Sequence, residues 1–582
     1  MRTGLYNEQL QMSVVESPSL AGRRSAREVR AHWALYVGIG LLTWVALLYA
    51  VVEQVFDTNF YVLWEATALL AGDRPYRDFY QMGWPLLTLL STAMQWLVGY
   101  RLIGEFVLQW AFISASVVIG FHLAIRLSHS IWAAVTTTLV AIAVVAATPT
   151  FQFPKLFFYP VAVWVAWWYM EAPGTRRAAV VGLVAAAAFL YRHDHGVYIG
   201  IGALLAFLLT RAVNPASRRW RSSAREIVAF TVAAVVPLLP WAILVASNEG
   251  LIDYVQTRAA WGRSWSPDRF PYVALRDFNP VSVVVGGALP SRAAAEHWLL
   301  ELTLLLPVFV LVRAAIEAIS RRRNGERVSL EICQTVIASA MAIIVGIRLF
   351  REDGYFTVVL PLSAALGAQL LAGPQHKAGG AWRIVQRALA VIMLSLTAVA
   401  VAGYVNAWDL LKSSEIDELG PTYRLLLTTP PIDALEPANK ARQVQRTEWS
   451  RSEAGEQQKI ALRYMHDCTR DGDRIFVTGS TPYQVGYYTQ RPIAGGHVQW
   501  HHGWRSDPLH SRQSLALLQT QSVPFAFSTH DPVLVDLEKY PDIRRYFKEN
   551  YVEVEGGRGL LLVDRRRQST GQFGALGFPC FR

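Results

Sequence analysis

The chain reads as a polytopic α-helical membrane protein carrying a small soluble α/β domain at its C-terminal end. Hydrophobic residues fill 53% of the 582 positions and charged residues only 17%, with a mean hydropathy of +0.25; soluble domains carry roughly 25% charged residues. Apolar runs long enough to cross a bilayer recur up to about residue 408, and the arginines gather in the short segments between them. In a soluble chain the formal charge of +11 would suggest nucleic acid. Here the basic residues follow the loop asymmetry of membrane proteins, so no nucleic-acid partner is expected.

A span needs about 17 to 25 predominantly apolar residues. Eleven such runs are predicted: 33–56, 104–127, 130–149, 154–170, 176–192, 194–211, 225–247, 296–318, 329–350, 354–372 and 382–408. With the N-terminus inside, one face receives segment 1–32, Arg126 to Ser130, 171–177, 211–225, 319–328 and 373–383. These segments hold nearly every dense arginine cluster, which makes that face cytoplasmic. The first run is too long for a signal-peptide core and its polar lead too extended, so it reads as an uncleaved anchor. The other, exoplasmic, face receives the loops 57–103 and 248–295, two short turns, the knot at 192–195 and everything beyond about 409. The expected organisation is a cytoplasmic segment 1–32, a transmembrane domain 33–408 and an exoplasmic α/β domain 409–582.

That last region is polar and of mixed charge. The runs Asp473 to Gly479 and Leu560 to Val563 are strand-like, and a helix is expected within Tyr423 to Arg470, ending near Asp471-Gly472. Cys333 falls in a span, whereas Cys468 and Cys580 both lie outside. In an oxidising compartment those two could pair. Two unrelated thiols are the alternative, since spacing in sequence fixes no distance.

The first exoplasmic loop is rich in acids and aromatics: Asp57, Glu65, Asp73 and Asp78 are interleaved with Tyr61, Trp64, Tyr76, Phe79, Tyr80 and Trp84. Gly72 to Tyr76 has turn chemistry, and the flanking segments read as short interfacial helices. A carboxylate at a membrane surface is a candidate functional group. Partial burial would raise its pKa and strengthen it as a base toward an acceptor hydroxyl. The alternative for Asp57 is a helix cap before Thr58-Asn59.

An Asp directly after the first span, then an aromatic loop containing G-D-R-P-Y-R-D-F (Gly72 to Phe79), resembles the GT-C class of membrane glycosyltransferases. Within it the chain is similar to the branch of protein O-mannosyltransferases and lipid A aminoarabinose transferases. Arg348 to Pro361 is similar to that branch's signature of basic residues, Tyr and Leu-Pro entering a late span, and Gly479 to Pro492 looks like its tail. The resemblance implies a polyprenyl-phosphate-linked sugar donor, a glycan, lipid or protein acceptor in the cell envelope, and the inner membrane of a bacterium. It implies Asp57 as the catalytic base, supported by Glu65 or Asp78. Arg348 and Arg351, with Tyr355, become donor-phosphate contacts, for which paired guanidinium hydrogen bonds are suited; interfacial anchoring by snorkelling is their alternative. Protein O-mannosyltransferases usually carry Asp-Glu after the first span, but here Thr58 follows Asp57. A divalent cation such as Mg²⁺ or Mn²⁺ therefore stays without assigned ligands.

Two further clusters join these. The knot Tyr191-Arg192-His193-Asp194-His195-Gly196 puts four ionisable side chains between apolar runs. That placement suits a polar cavity, with Arg192, His193 and Asp194 binding or orienting the donor; an ordinary hydrated turn is the alternative, and zinc on His193 and His195 would need more ligands. Lys155 is an isolated cation on the same face that could reach the phosphate. The loop 248–295 holds Arg258, Trp261, Arg263 and Trp265, a lid able to stack on sugar rings or else an aromatic belt. His497 to Trp504 reads as a surface loop of a folded domain, with contact to an acceptor glycan as the alternative. A polytopic transporter or flippase of lipid-linked precursors is the competing reading. The absence of an internal repeat and the placement of ionisable groups at the rim rather than mid-span favour the enzyme.

Overall fold

The computed structural model describes residues 33–54, 60–147 except 82, 155–213, 220–264, 292–349, 358–373, parts of 384–403, 414–433 except 429 and 431, and 453–582 except 480–481, 501–503, 529–530, 556 and 575–576. The chain is mainly helical. In order, its first helices are α1 (Trp33–Gln54), α2 (Phe60–Leu70), α3 (Pro85–Val98), α4 (Leu102–Ser128), α5 (Ile131–Ala147), α6 (Lys155–Glu171), α7 (Thr175–Tyr191) and α8 (His193–Val213). There follow α9 (Trp220–Val235), a 3₁₀ turn, α10 (Leu239–Asn248), α11 (Leu251–Ser264), α12 (Arg292–Arg323), α13 (Leu330–Leu349) and α14 (Leu360–Ala372). Among the described residues five helical stretches are long and apolar enough to cross a membrane: Trp33–Ala50, Leu102–Ser128, His193–Val213, Ser223–Asn248 and Glu301–Arg323.

α4 is the hub of the bundle, packing against α1, α3, α5, α6 and α14. Gly120 makes the α14 contact possible, because a Cβ there would stand 2.9 Å from Pro361 Cβ. α3 inverts the pattern of a soluble helix. Thr88, Ser91 and Gln95 point inward, at i, i+3 and i+7, while Leu89, Trp96 and Leu97 are 58%, 72% and 66% exposed. Such a helix suits an apolar surrounding outside and a polar interior.

The two ends of the bundle differ in chemistry. At one end Arg126 pairs with Glu171, Gln334 donates to the same carboxylate at 3.4 Å, and His129 lies 3.5 Å from Glu331. At the other end the α7–α8 junction meets α11, α11 meets the α2–α3 connection, and that connection meets the C-terminal residues.

The C-terminal part comprises α15 (Ser414–Thr428), α16 (Glu453–Asp467), β1 (Ile475–Thr478), α17 (Pro482–Thr489), α18 (Pro508–Thr520), β2 (Phe525–Ser528), α19 (Val533–Asp536), α20 (Pro541–Asn550), β3 (Tyr551–Glu553), β4 (Leu561–Asp564), β5 (Gly571–Phe573) and β6 (Phe578–Cys580). The four-stranded sheet has the order β1-β2-β4-β3, with β1 and β2 parallel and the other pairs antiparallel. Ile475 faces Phe525 across the first pair, and Phe525 faces Val563 across the second. Side chains alternate along these strands. Phe476, Ala526 and Leu562 join one core with Trp500, Tyr540 and Phe547, while Ile475, Val477, Phe525, Phe527, Leu561 and Val563 join the core that continues into the helical bundle. Both faces are covered, which explains why the strand runs are continuously apolar. His497 and Trp500, expected on a surface loop, are buried in this core and stacked at 3.8 Å.

Cys468, just after α16, is disulfide-bonded to Cys580 in β6, 112 residues away. The link ties the chain end to the sheet, and Phe581 N–H also donates to the Cys468 carbonyl at 3.1 Å. Cys468→Ser is expected to lower the thermal midpoint and to make the β5–β6 hairpin protease-sensitive, with a chain-entropy ceiling of roughly 4 to 5 kcal/mol. Scanning fluorimetry with limited proteolysis checks this, and an unchanged midpoint would show that packing alone holds the tail.

Candidate active site

The site grows from a buried carboxylate. Glu65 lies on the inward face of α2 and is 0% exposed, because the helix packs between α3 and α17. Thr88 Oγ1 donates to its Oε2 at 2.5 Å and Gln81 Nε2 at 3.2 Å. Gln81 is itself held: its Oε1 accepts from Tyr76 Oη and from Gly83 N–H, both at 3.0 Å. Tyr76 Oη in turn accepts from Trp241 Nε1 at 2.9 Å. The donors thus run one way, from Trp241 through Tyr76 and Gln81 to Glu65.

Arg258, on α11, crosses this chain. It donates to the Gln81 carbonyl, and its guanidinium carbon lies 4.7 Å from the Tyr80 ring centre and 5.4 Å from that of Tyr254. Gly83 admits it on two counts, a φ of +95° and a position where a Cβ would stand 3.3 Å from Arg258 Cζ. Burial raises the phenol pKa values of Tyr76, Tyr80 and Tyr254, so all three hydroxyls stay protonated at neutral pH.

The knot joins from the other side. His193 stacks on Phe189 at 4.3 Å and reaches the Phe189 carbonyl through Nδ1 at 2.8 Å. A carbonyl only accepts, so the proton sits on Nδ1, and Nε2 accepts from Tyr254 Oη at 2.7 Å. Arg192 forms a two-pronged pair with Asp194, at 2.9 and 3.0 Å. His195 is buried beneath and hydrogen-bonds Tyr159.

The C-terminal part closes the cluster. Arg505 lies over Tyr80 at 4.1 Å and pairs with Glu249 at 2.7 Å, with both side chains almost fully buried. Burial raises the Glu249 carboxyl against the pull of Arg505. Gly496 accepts from Tyr80 N–H at 2.6 Å, and Arg474 grips Asp73 with both Nη atoms. Burial pushes the His497 imidazole down, with Arg505 and His510 adding to it, so that ring stays neutral.

Of the residues expected from sequence, Glu65 and His193 share one network. Arg192 and Asp194 border it, and Lys155 is buried at the first position of α6. Asp78 stands apart, bound to Arg77 at 2.7 Å and to Arg74 N–H at 2.8 Å; these bonds outweigh partial burial and hold its carboxyl below the usual range. Asp57, Arg351, Tyr355 and Trp265 lie outside the described residues. Arg348 falls in the last turn of α13, and Trp261 and Arg263 in the later part of α11; their side chains also lie outside the description. Among the described residues no three His, Cys, Asp or Glu side chains come together as a metal cluster. Gln81, Trp241, Glu249, Tyr254 and Arg505 were not singled out from sequence. The one available signal was the proximity in sequence of Tyr254 to Arg258 and of Arg505 to the His/Trp run.

No protein-family profile and no curated protein matches the chain. Solved structures do resemble it. One is the crystal structure of ArnT from Cupriavidus metallidurans bound to undecaprenyl phosphate: 12% identity, 94% of this chain and 99% of that chain covered, TM-score 0.46. The same protein in the apo state matches at 14% identity over 80% of this chain and 86% of that chain, TM-score 0.40. At TM-scores below 0.5 the likeness assigns neither activity nor residue roles to this chain.

Proposed function

We propose that this protein is an inverting GT-C glycosyltransferase, moving a sugar from a polyprenyl-phosphate donor to an envelope glycan, lipid or protein at the outer face of the inner membrane. The observation that carries the reading is the convergence, at one end of an apolar helical bundle, of a buried carboxylate, three protonated tyrosines, a neutral histidine and Arg258. In the proposed step an acceptor hydroxyl oxygen attacks the anomeric carbon, Asp57 takes the hydroxyl proton, and the carbon–oxygen bond to the lipid phosphate breaks with its electrons leaving on phosphate. Asp57 precedes α2 by three residues, so the helix bearing Glu65 follows it directly. The departing phosphate needs positive charge. Arg258 and Arg192 are the described candidates, with Arg348, Arg351, Tyr355 and Lys155 proposed beside them. Trp261, Arg263 and Trp265 are proposed as sugar contacts.

In this reading eleven spans thread the membrane, segment 1–32 is cytoplasmic, and 409–582 forms the periplasmic domain. Arg126 and Arg177, in two of the connections read as cytoplasmic, lie at the end of the bundle opposite the site, which supports this reading. The test is transfer of radiolabelled sugar from polyprenyl phosphate by purified protein, across hexosyl and pentosyl donors. Transfer or donor hydrolysis supports the reading. Failure across common donors, with lipid-linked precursor moved across vesicles instead, would replace it with a flippase.

A further inference from the structure

A second buried carboxylate lies beyond the site. Glu105, in the first turn of α4, is 0% exposed. Ser91 Oγ donates to its Oε2 at 2.7 Å, and Gln109 Nε2, one turn on, to its Oε1 at 3.2 Å. Among the described residues no cationic side chain pairs with it.

Its surroundings are short of partners in a consistent way. Gln95, one turn after Ser91, is 1% exposed, and neither its Oε1 nor its Nε2 has a hydrogen-bond partner. Its amide is close to α4, since a Cβ on Gly104 would stand 3.5 Å from Gln95 Nε2. Gln109 Oε1 and Tyr191 Oη are likewise buried and unpartnered. Buried polar atoms are normally satisfied, and Gln95 and Gln109 bring unpartnered amide atoms to the α3 and α4 segments that hold Glu105. The oxygens here are a carboxylate, the Gln95 and Gln109 carbonyls, a serine hydroxyl and a phenol, beside the two amide nitrogens. Gln109 keeps its Nε2 on Glu105, whereas the Gln95 amide, with no partner on either atom, is free to turn its carbonyl toward a bound species.

We propose that this polar cluster between α3 and α4 binds one hard, oxygen-seeking cation. Alkali and alkaline-earth ions share that preference. The single negative charge best matches a monovalent ion such as Na⁺, while Ca²⁺ would draw on the flexible oxygen set and Mg²⁺ would retain waters. The ion neutralises a carboxylate that apolar helices would otherwise bury unpaired. It also ties α3 to α4 one turn from Thr88, the residue that holds Glu65. This inference does not depend on the glycosyltransferase reading.

The test uses the full-length purified protein, stripped with chelator and exchanged into choline chloride. NaCl, KCl, MgCl₂ and CaCl₂ are then added singly while the thermal midpoint is followed and retained metal is measured by mass spectrometry. One ion is expected to raise the midpoint saturably and to be retained stoichiometrically, with both effects lost in Glu105→Gln and in Gln95→Leu. If Glu105→Gln fails to fold, Gln95→Leu decides. No response to any ion, or a response that survives both variants, overturns the site. Glu105→Gln matching the wild type in choline with no ion retained would identify a protonated carboxyl among waters.

Discussion

Asp57→Asn is expected to abolish sugar transfer, by about 10²- to 10⁴-fold, the span of a lost general base, while the yield of folded protein stays unchanged. The choice of asparagine separates the two readings of this residue. Asn is as good an N-cap as Asp, because its side-chain oxygen still accepts from the first-turn amides, but it cannot take a proton. If Asp57 only capped a helix beginning at Thr58-Asn59, Asp57→Asn would turn over at near the wild-type rate. Asp57→Ala, which loses both roles, should then be the less stable of the two. Initial rates with radiolabelled polyprenyl-phosphate sugar, normalised to the monodisperse fraction on gel filtration, decide between them. Glu65→Gln is the internal comparison: its carboxylate accepts from Thr88 and Gln81, and an amide keeps only part of that.

Helices were legible where periodicity and length act locally. The predicted run 33–56 became Trp33–Gln54, and the knot falls where expected, with α7 ending at Tyr191 and α8 starting at His193. Asp473 to Gly479 and Leu560 to Val563 contain β1 and β4. The loop 248–295, by contrast, opens with α11, whose polar sequence carries no apolar stripe to announce it. The helix expected within Tyr423 to Arg470 is α16, Glu453–Asp467, which ends close to Asp471-Gly472. Burial of His497 was illegible because composition does not say which aromatic loops fold inward. The site's wiring was equally hidden: Tyr254 meets His193 from 61 residues away, Arg258 meets Gln81 from 177, and Arg505 meets Glu249 from 256. A single sequence brings such partners together only through the finished fold.

Arg258→Lys tests whether that wiring is functional. Lysine keeps the charge, but its ammonium is a point donor, whereas the guanidinium lies over two tyrosine rings and hydrogen-bonds the Gln81 carbonyl at once. Transfer is expected to fall about 100-fold, the cost of losing one preorganised donor near developing charge. If Arg258 serves the departing phosphate, the loss appears in kcat/KM of fully folded protein, and Arg258→Lys retains more activity than Arg258→Leu. If it merely packs the α2–α3 connection, both variants lose folded yield, and the surviving protein turns over normally. Gly83→Ala gives an independent check: the added Cβ would stand 3.3 Å from Arg258 Cζ at a backbone φ of +95°, displacing the guanidinium without touching its charge. A Gly83→Ala protein that folds and transfers at the wild-type rate would remove Arg258 from the mechanism.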